Sequence, residues 1–484
     1  MSEMQLLTWI PLVPLLAAVG VVVTGKSPNL RETVTIIAGL ILFALVATLG
    51  ANIDWDNPAT LVLAEPLPGL ELAFTPEPLG LLFALVASFL WPVTTIYAIG
   101  YMRGHNEQNQ TRFYAAFAVS IAAVMGIALS GNMLTLFLFY EILTLSTYPL
   151  VTHAGNDKAR RAGRVYLGIL IGTSVGFLLL AMIWTWQVAG TLTFTQGGVF
   201  TDDVSPMVLS VLLALYVFGT GKAAVMPFHR WLPAAMVAPT PVSALLHAVA
   251  VVKAGVFTIL KVSVYIFGID TIADLAVADW LAGLAALTIL LASLVAMTKD
   301  NLKARLAYST VSQLGYIVLG AMLGVAAGVV GGGMHIAMHA FGKITLFFCA
   351  GAILVAAHKT NVSELNGLGR RMPLTMLAFL IGALSIVGLP PFGGTWSKWM
   401  LVQGTLDTGI WMLTAVLLLS SLLNVAYLVI IPVRSFFTRS ADTAEGVKEA
   451  PFASLLAIGV VATGCVLLFF WPEPIYQLMG KVLQ

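Results

Sequence analysis

Fourteen stretches of roughly 20 apolar residues, each long enough to cross a bilayer as a helix, alternate with polar connections along the chain. They lie at about 6–24, 32–50, 78–100, 113–130, 131–151, 164–187, 207–226, 241–267, 277–297, 306–323, 327–357, 373–400, 411–433 and 452–471. The pattern predicts an all-α polytopic membrane protein of about 14 transmembrane helices. Two stretches carry helix breakers. The seventh runs into GTGKAAVMPFHRWLPAAMVAPTP, with Pro227, Pro233, Pro239 and Pro241. The twelfth holds SIVGLPPFGGTWSKWM, with Pro390, Pro391, Gly393 and Gly394. Proline removes a backbone donor and clashes with the preceding turn, and unpaired backbone at membrane depth survives only beside protein or water. Matching interruptions in two halves of a chain mark a transporter built from inverted repeats. An offset of five spans reverses topology, so spans 7 and 12 fit that plan. Ordinary proline kinks are the plainer alternative.

Basic residues crowd alternate connections. Eighteen of the 24 lie there, from Lys26 and Arg31 through Lys158, Arg160, Arg161 and Arg164 to Arg434, Arg439 and Lys448. The opposite connections hold Lys481 alone, beside acids such as Asp54, Glu65, Asp202 and Asp407. The positive-inside rule then puts both termini and the 51–77 connection on the outer side of a cell inner (plasma) membrane. MSEMQLLTWIPLVPLLAAVG has neither a basic start nor a small-residue cleavage site, and reads as a retained first span.

The remaining five basic residues are all lysines within spans: Lys222, Lys253, Lys261, Lys343 and Lys398. Among the 22 acids only Glu141 lies deep in a span, inside GNMLTLFLFYEILTLSTYPLV. A charge at the centre of a membrane helix costs about 2.5–3.5 kcal/mol on insertion scales, so such residues face polar interiors and mark ion or proton paths. Lysine is suited to that work because its proton affinity responds to burial, whereas guanidinium stays charged. An acid and a base at similar depth, Glu141 and Lys222, read as a pair. Lys261, nearer the outer end of span 8, has the plainer reading of a side chain that snorkels to the interface.

MHIAMHAFGKITLFF puts His335, His339 and Lys343 on one helix face at i, i+4 and i+8. Three readings compete: a zinc site, satisfied interior histidines, and a hydrated proton wire. No carboxylate or cysteine nearby in sequence completes a metal site. His247 precedes Lys253 by six residues and shares its interior without implying contact. Composition, at 59% hydrophobic and 10% charged, supports the membrane reading, since soluble domains carry about 25% charged residues. A net charge of +2 points to neither nucleic acid nor acidic substrates. Cys349 and Cys465, both in apolar runs, indicate no disulfide framework and cannot ligate an iron–sulfur cluster, so no cofactor or metal is expected.

With those residues in view, the chain resembles the antiporter-like subunit family shared by Mrp-type Na+/H+ antiporters, respiratory complex I and membrane-bound hydrogenases. The matching pieces are FYEILTLSTYPL, GTGKAAVMPFHRWLPAAMVAPTPVSALLHAVAVVKAG, NLKARLAYSTVSQLGY, HIAMHAFGKITLFFCAG and GLPPFGGTWSKW, in this order over some 300 residues. The resemblance implies two inverted five-helix repeats and broken spans 7 and 12. The expected division is 1–112 for helices 1–3, 113–267 and 268–433 for the repeats, and 434–484 for helix 14. It also implies a Glu–Lys pair at Glu141 and Lys222, a central relay at Lys253, and a second-repeat lysine at Lys398. His335, His339 and Lys343 would wire the half-channels together, with His247 supporting. The size and the end at Gln484 are similar to an Mrp D-type subunit, although PTPVSALLHAVAVVKAG looks more like the A-type and distal complex I subunits. The expected function is proton translocation within a multisubunit Na+ (or K+)/proton antiporter, among other membrane subunits in the lipid bilayer. The alternative is the proton-pumping part of a redox-driven complex, and only there would the chain count as part of an enzyme. A scaffold that has lost transport is the third reading.

Overall fold

The computed structural model describes residues 1–438 and 446–483, apart from the side chains at 67, 246 and 247. Arg439, Gln484 and the side chain of His247 therefore lie outside the described residues. The protein is all-α through the membrane. Among the described residues ten helices are by themselves long and apolar enough to cross it. Spans 7, 8, 10 and 12 make up the rest: two are interrupted, span 8 is assembled from short pieces over 240–267, and span 10 (Leu302–Met322) carries Lys303 and Arg305 in its first turn.

The first three spans, Glu3–Val23, Pro28–Asn52 and Pro78–Gly104, stand beside the repeats. Span 2 starts earlier than apolarity alone suggested, because Pro28 suits the first helical turn. Arg31 and Glu32 are consequently inside the helix and buried, not in a loop. Glu32 is held by Arg31 at 3.2 Å and by Arg103, and Arg31 reaches Gln110 at 2.9 Å. This clamp ties spans 2, 3 and 4 together on the face that carries the basic connections. The 51–77 connection is more ordered than expected: β1 (Leu61–Leu67) and β2 (Leu70–Phe74) pair as an antiparallel hairpin. Its turn uses Gly69 at φ +79, a conformation that glycine adopts freely. Glu3 accepts from the backbone of Asp54 and Ala59, and Gln196 reaches Val482, so both ends of the chain lie on the hairpin face.

Local details recur five spans apart, as the expected inverted repeats of spans 4–8 and 9–13 require. Span 5 (Met133–Val151) is capped by Asn132, whose side chain accepts from Thr135 N at 2.8 Å. Span 10 is capped by Asn301, which accepts from Ala304 N at 3.1 Å. Such caps satisfy helix donors that have no partner within the helix. Asn132 bridges Thr193, in the connection after span 6 (Asp157–Ala189). Asn301 bridges Asn361, in the connection after span 11 (Ala326–Ala357). The first cap also holds Glu71 O of the hairpin, whereas the second lies among the basic connections, so the two equivalents occupy opposite faces.

Both expected breaks are present. Span 7 stops at Gly219, passes through a single tight turn at Gly221–Ala223, and resumes as short helical pieces at Trp231–Ala234 and Ala235–Val237. Span 12 divides into Pro373–Val387 and Gly394–Asp407. Close contact between backbones sets both breaks. A Cβ at Gly394 would lie 1.8 Å from Ser385 O, and one at Gly255 only 2.2 Å from Ala223 N, so only glycine fits.

Candidate functional site

Lys222 occupies the turn inside the span 7 break and is completely buried. Trp231 Nε1 donates to Gly221 O at 3.0 Å, and Lys222 N donates to the Tyr140 hydroxyl at 3.2 Å, which fixes the turn against span 5. The ammonium donates to Tyr140 O at 2.8 Å and to Thr144 Oγ1 at 2.5 Å, and it stands 3.1 Å from the centre of the Tyr140 ring. Cation–π contacts of this kind strengthen when desolvated, to about 2 kcal/mol or more. Tyr140 and Thr144 flank Glu141 on the same helix. Among the described residues Glu141 takes part in no ion pair, and both carboxylate oxygens are buried without a hydrogen-bond partner. Glu141 and Lys222 are therefore neighbours across spans 5 and 7 without direct contact; the Tyr140 carbonyl and ring and the Thr144 hydroxyl take the ammonium instead.

Lys253 lies in Val251–Val262 of span 8, and Gly255 lets that helix touch the backbone at Lys222 and Ala223. Its ammonium meets His339 Nδ1 at 2.7 Å, a buried bond from the first repeat to the second. The His339 and His335 rings stack with centroids 5.6 Å apart. His335 Nδ1 then reaches Ser397 Oγ at 2.9 Å, one residue before Lys398. Lys398 donates to Val387 O at 3.2 Å and Ser421 Oγ at 3.0 Å, inside the span 12 break, and lies 4.6 Å from the Tyr316 ring centre.

Lys343 does not fall between the histidines and Lys398. It donates to Ser309 Oγ at 2.5 Å, which also receives the Tyr427 hydroxyl at 3.1 Å, and Tyr427 contacts Asn424. The i, i+4, i+8 spacing therefore does not translate into one line of contacts. Contacts run from Lys253 through His339 and His335 to Ser397, beside Lys398, while Lys343 faces Ser309 of span 10.

Lys261 does not snorkel. It is fully buried, with Nζ 2.7 Å from Ser130 O and 3.0 Å from Glu77 Oε1. Glu77 was missed because it precedes span 3 and counts with the connections. The available signal was an acid directly before Pro78, a helix-capping position, and Glu77 does accept from Gly80 N at 3.1 Å. A cavity of about 400 Å3 beside Lys398 is bounded by Trp399, Leu418 and Leu422, apolar side chains that are themselves exposed.

Residues 130–424 match the family described as NADH:quinone oxidoreductase/Mrp antiporter, TM. NADH-quinone oxidoreductase subunit N of Desulforudis audaxviator is 32% identical over 483 residues, covering 94% of each chain. NAD(P)H-quinone oxidoreductase chain 5 of a Picosynechococcus species is 30% identical over 419 residues, which span 80% of this chain and 61% of that one. Among solved structures, a chain of the Mrp complex from a Dietzia species superposes with a TM-score of 0.88 at 23% identity, covering 100% of this chain and 97% of that one. A chain of the membrane-bound sulfane sulfur reductase, an archaeal respiratory membrane complex, gives 0.86 at 24% identity, covering 100% and 98%. At these identities the structural matches speak to the fold.

Proposed function

Because the chain belongs to the NADH:quinone oxidoreductase/Mrp antiporter transmembrane family, we propose that it is the proton-translocating subunit of a multisubunit monovalent cation/proton antiporter. The observation that carries this reading is the buried bond between Lys253 and His339 at 2.7 Å, which joins the titratable groups of the two repeats. Lys222 would take a proton, pass it across the Gly255 contact to Lys253, and His339 would deliver it through His335 to Lys398, or to Lys343 on the same helix face. Glu141 would set the bias. A charge change on a carboxylate one residue from Tyr140 alters the field at the ammonium that Tyr140 holds, and opposite charge within roughly 4–6 Å favours the charged form. Moving one charge across 100 mV is worth about 2.3 kcal/mol, and one unit of proton affinity about 1.36 kcal/mol. A single switched carboxylate therefore works on the scale of the membrane potential.

The redox-driven alternative draws support from the match to a quinone oxidoreductase subunit over 94% of both chains. In both readings the chain works beside other membrane subunits, and the exposed Trp399–Leu422 rim is a place for one of them. Purification of the intact complex with identification of its partners tests the choice. Cation-transport subunits with sodium- or potassium-dependent proton movement in sealed vesicles support the antiporter. Co-purified nucleotide-, flavin- or cluster-binding subunits overturn it in favour of the alternative.

Orientation follows the charge asymmetry: the hairpin face is the outer one. A cysteine at position 158 is expected to react with a membrane-impermeant thiol reagent only from the inner side, and one at position 71 only from the outer side. Labelling in the opposite sense would reverse every direction assigned to proton movement.

A further inference from the structure

The Lys261–Glu77 pair lies outside the relay, yet it opens onto a cavity of its own. The cavity, about 170 Å3, lies at the hairpin face and is lined by Glu71, Thr75, Glu77, Ser130, Asn132 and Tyr265. Its walls are knitted by backbone bonds: Thr75 N to Leu129 O at 2.8 Å, Gly131 N to Ala73 O at 2.9 Å, and Thr195 N to Tyr265 O at 3.1 Å. Polar side chains alternate with apolar ones along the lining, and the volume holds several waters.

Two polar groups face this space incompletely satisfied. Glu77, 14% exposed at its side chain, uses Oε1 for Lys261 and Gly80 N, while Oε2 is buried with no partner. The Tyr265 hydroxyl, on a residue only 5% exposed, lies beside Glu77 without completing a hydrogen bond. Buried polar atoms left unpaired cost about 1–3 kcal/mol each, so native proteins keep them where water or a proton completes the set. The charged group facing Lys261 is Glu77 from the start of span 3, and Glu71 from the hairpin lines the cavity beyond it. Tyr265, on its own helix, is the titratable neighbour. Lys261 stands eight residues from Lys253 on span 8, about 12 Å of helical rise.

We propose that Lys261, Glu77 and Tyr265 form the outer gate of the proton route, with the hairpin cavity as its vestibule; this rests on the proton-translocating reading above. The Lys261 ammonium gives its proton to a Glu77 oxygen, leaving a neutral amine and a carboxylic acid. The acid then releases the proton to cavity water, forming hydronium and regenerating the carboxylate. Tyr265 donates a hydrogen bond to the carboxylate once it is regenerated. Inward movement is the same sequence reversed. Lys253 loads Lys261 through water along span 8.

The test uses the intact complex in sealed vesicles and compares Glu77→Gln, Tyr265→Phe and Lys222→Met. Glu77→Gln keeps an oxygen for the Gly80 cap and removes the acid, so proton movement should fall about tenfold or more, in line with loss of a general acid–base group. Tyr265→Phe deletes a hydroxyl that holds nothing in place, so a merely structural role leaves it silent. The gate instead slows transport about threefold or more and flattens its dependence on the pH of the hairpin side. Thr75→Cys should react with an impermeant thiol reagent from that side and block transport, against the low background of buried Cys349 and Cys465. If Lys222→Met is inactive while Glu77→Gln and Tyr265→Phe keep the wild-type rate and pH profile, the gate is overturned and the relay stands. Failure of Thr75→Cys to react from the hairpin side also overturns it. If Lys222→Met transports normally, the relay falls and the gate with it.

Discussion

Replacing Lys222 by methionine should abolish proton movement, a loss of at least about a hundredfold, while the complex still assembles. The reason lies in what the ammonium touches. Its partners are Tyr140 O, Thr144 Oγ1 and the Tyr140 ring, and all three belong to span 5, which does not move when the side chain is shortened of its charge. Methionine is close to lysine in length and buries comfortably, so the break in span 7 keeps its shape through Trp231 and the Lys222 backbone bond to Tyr140. Lys222→Arg should be inactive as well, because guanidinium retains its proton. Thr144→Val removes one of three contacts, worth about 1 kcal/mol, and should slow transport only several-fold. Proton flux measured with a pH-sensitive dye in vesicles decides the matter. Wild-type flux in assembled Lys222→Met would end the relay.

Gly255→Ala should be damaging out of proportion to its one added carbon. The added methyl group would sit 2.2 Å from Ala223 N and 2.3 Å from Lys222 C, and neither backbone atom can step aside as a side-chain tip could. Span 8 must back away from the break. Overpacking of this kind typically costs 1–3 kcal/mol and occasionally more, here enough to lower the thermal stability of the complex. It also separates Lys253 from Lys222, and misplacement of about 1 Å in a working site can cost a hundredfold in rate. Gly283→Ala is the control, since nothing lies within 4 Å of its added methyl group on an exposed helical face. It should be neutral or stabilising by up to about 1 kcal/mol. Thermal unfolding and flux measured on both variants should separate them clearly; equal behaviour would mean that the span 7–span 8 contact is looser than these distances imply.

Much of this architecture can be read from residue order. Apolar length marks the spans, and Pro227 and the Pro390-Pro391-Gly393-Gly394 run mark the breaks, because both are backbone effects with local causes. Lys253 and Lys398 announce a polar interior for the same reason: hydrocarbon rejects them wherever they sit. What order does not reveal is which neighbour each buried group meets. Lys343 shares a helix face with His339, yet its partner Ser309 comes from span 10 and is steadied by Tyr427 of span 13. Lys261 meets Glu77 across 184 positions, and an acid ahead of a span looks like a loop residue until the fold buries it. The hairpin at 61–74 was legible in principle, through the Pro-Gly turn in LVLAEPLPGLELAF, but apolar length overshadowed that short alternation. Glu141 lost its direct contact to the Tyr140 carbonyl and ring, a competition among atoms one residue away that spacing cannot rank.

The environment of Lys222 has a bearing on the membrane at rest. A peptide carbonyl and an aromatic face attract a cation, but neither accepts a proton at any ordinary acidity, and the Thr144 hydroxyl accepts one scarcely better. The ammonium is thus surrounded by groups that comfort its charge and offer it no exit. In the proposed role, such a subunit behaves when idle as an insulator. A cell could hold many copies in its membrane without draining the gradient they exist to use, and conduction would begin only when the Glu141 side of span 5 is disturbed.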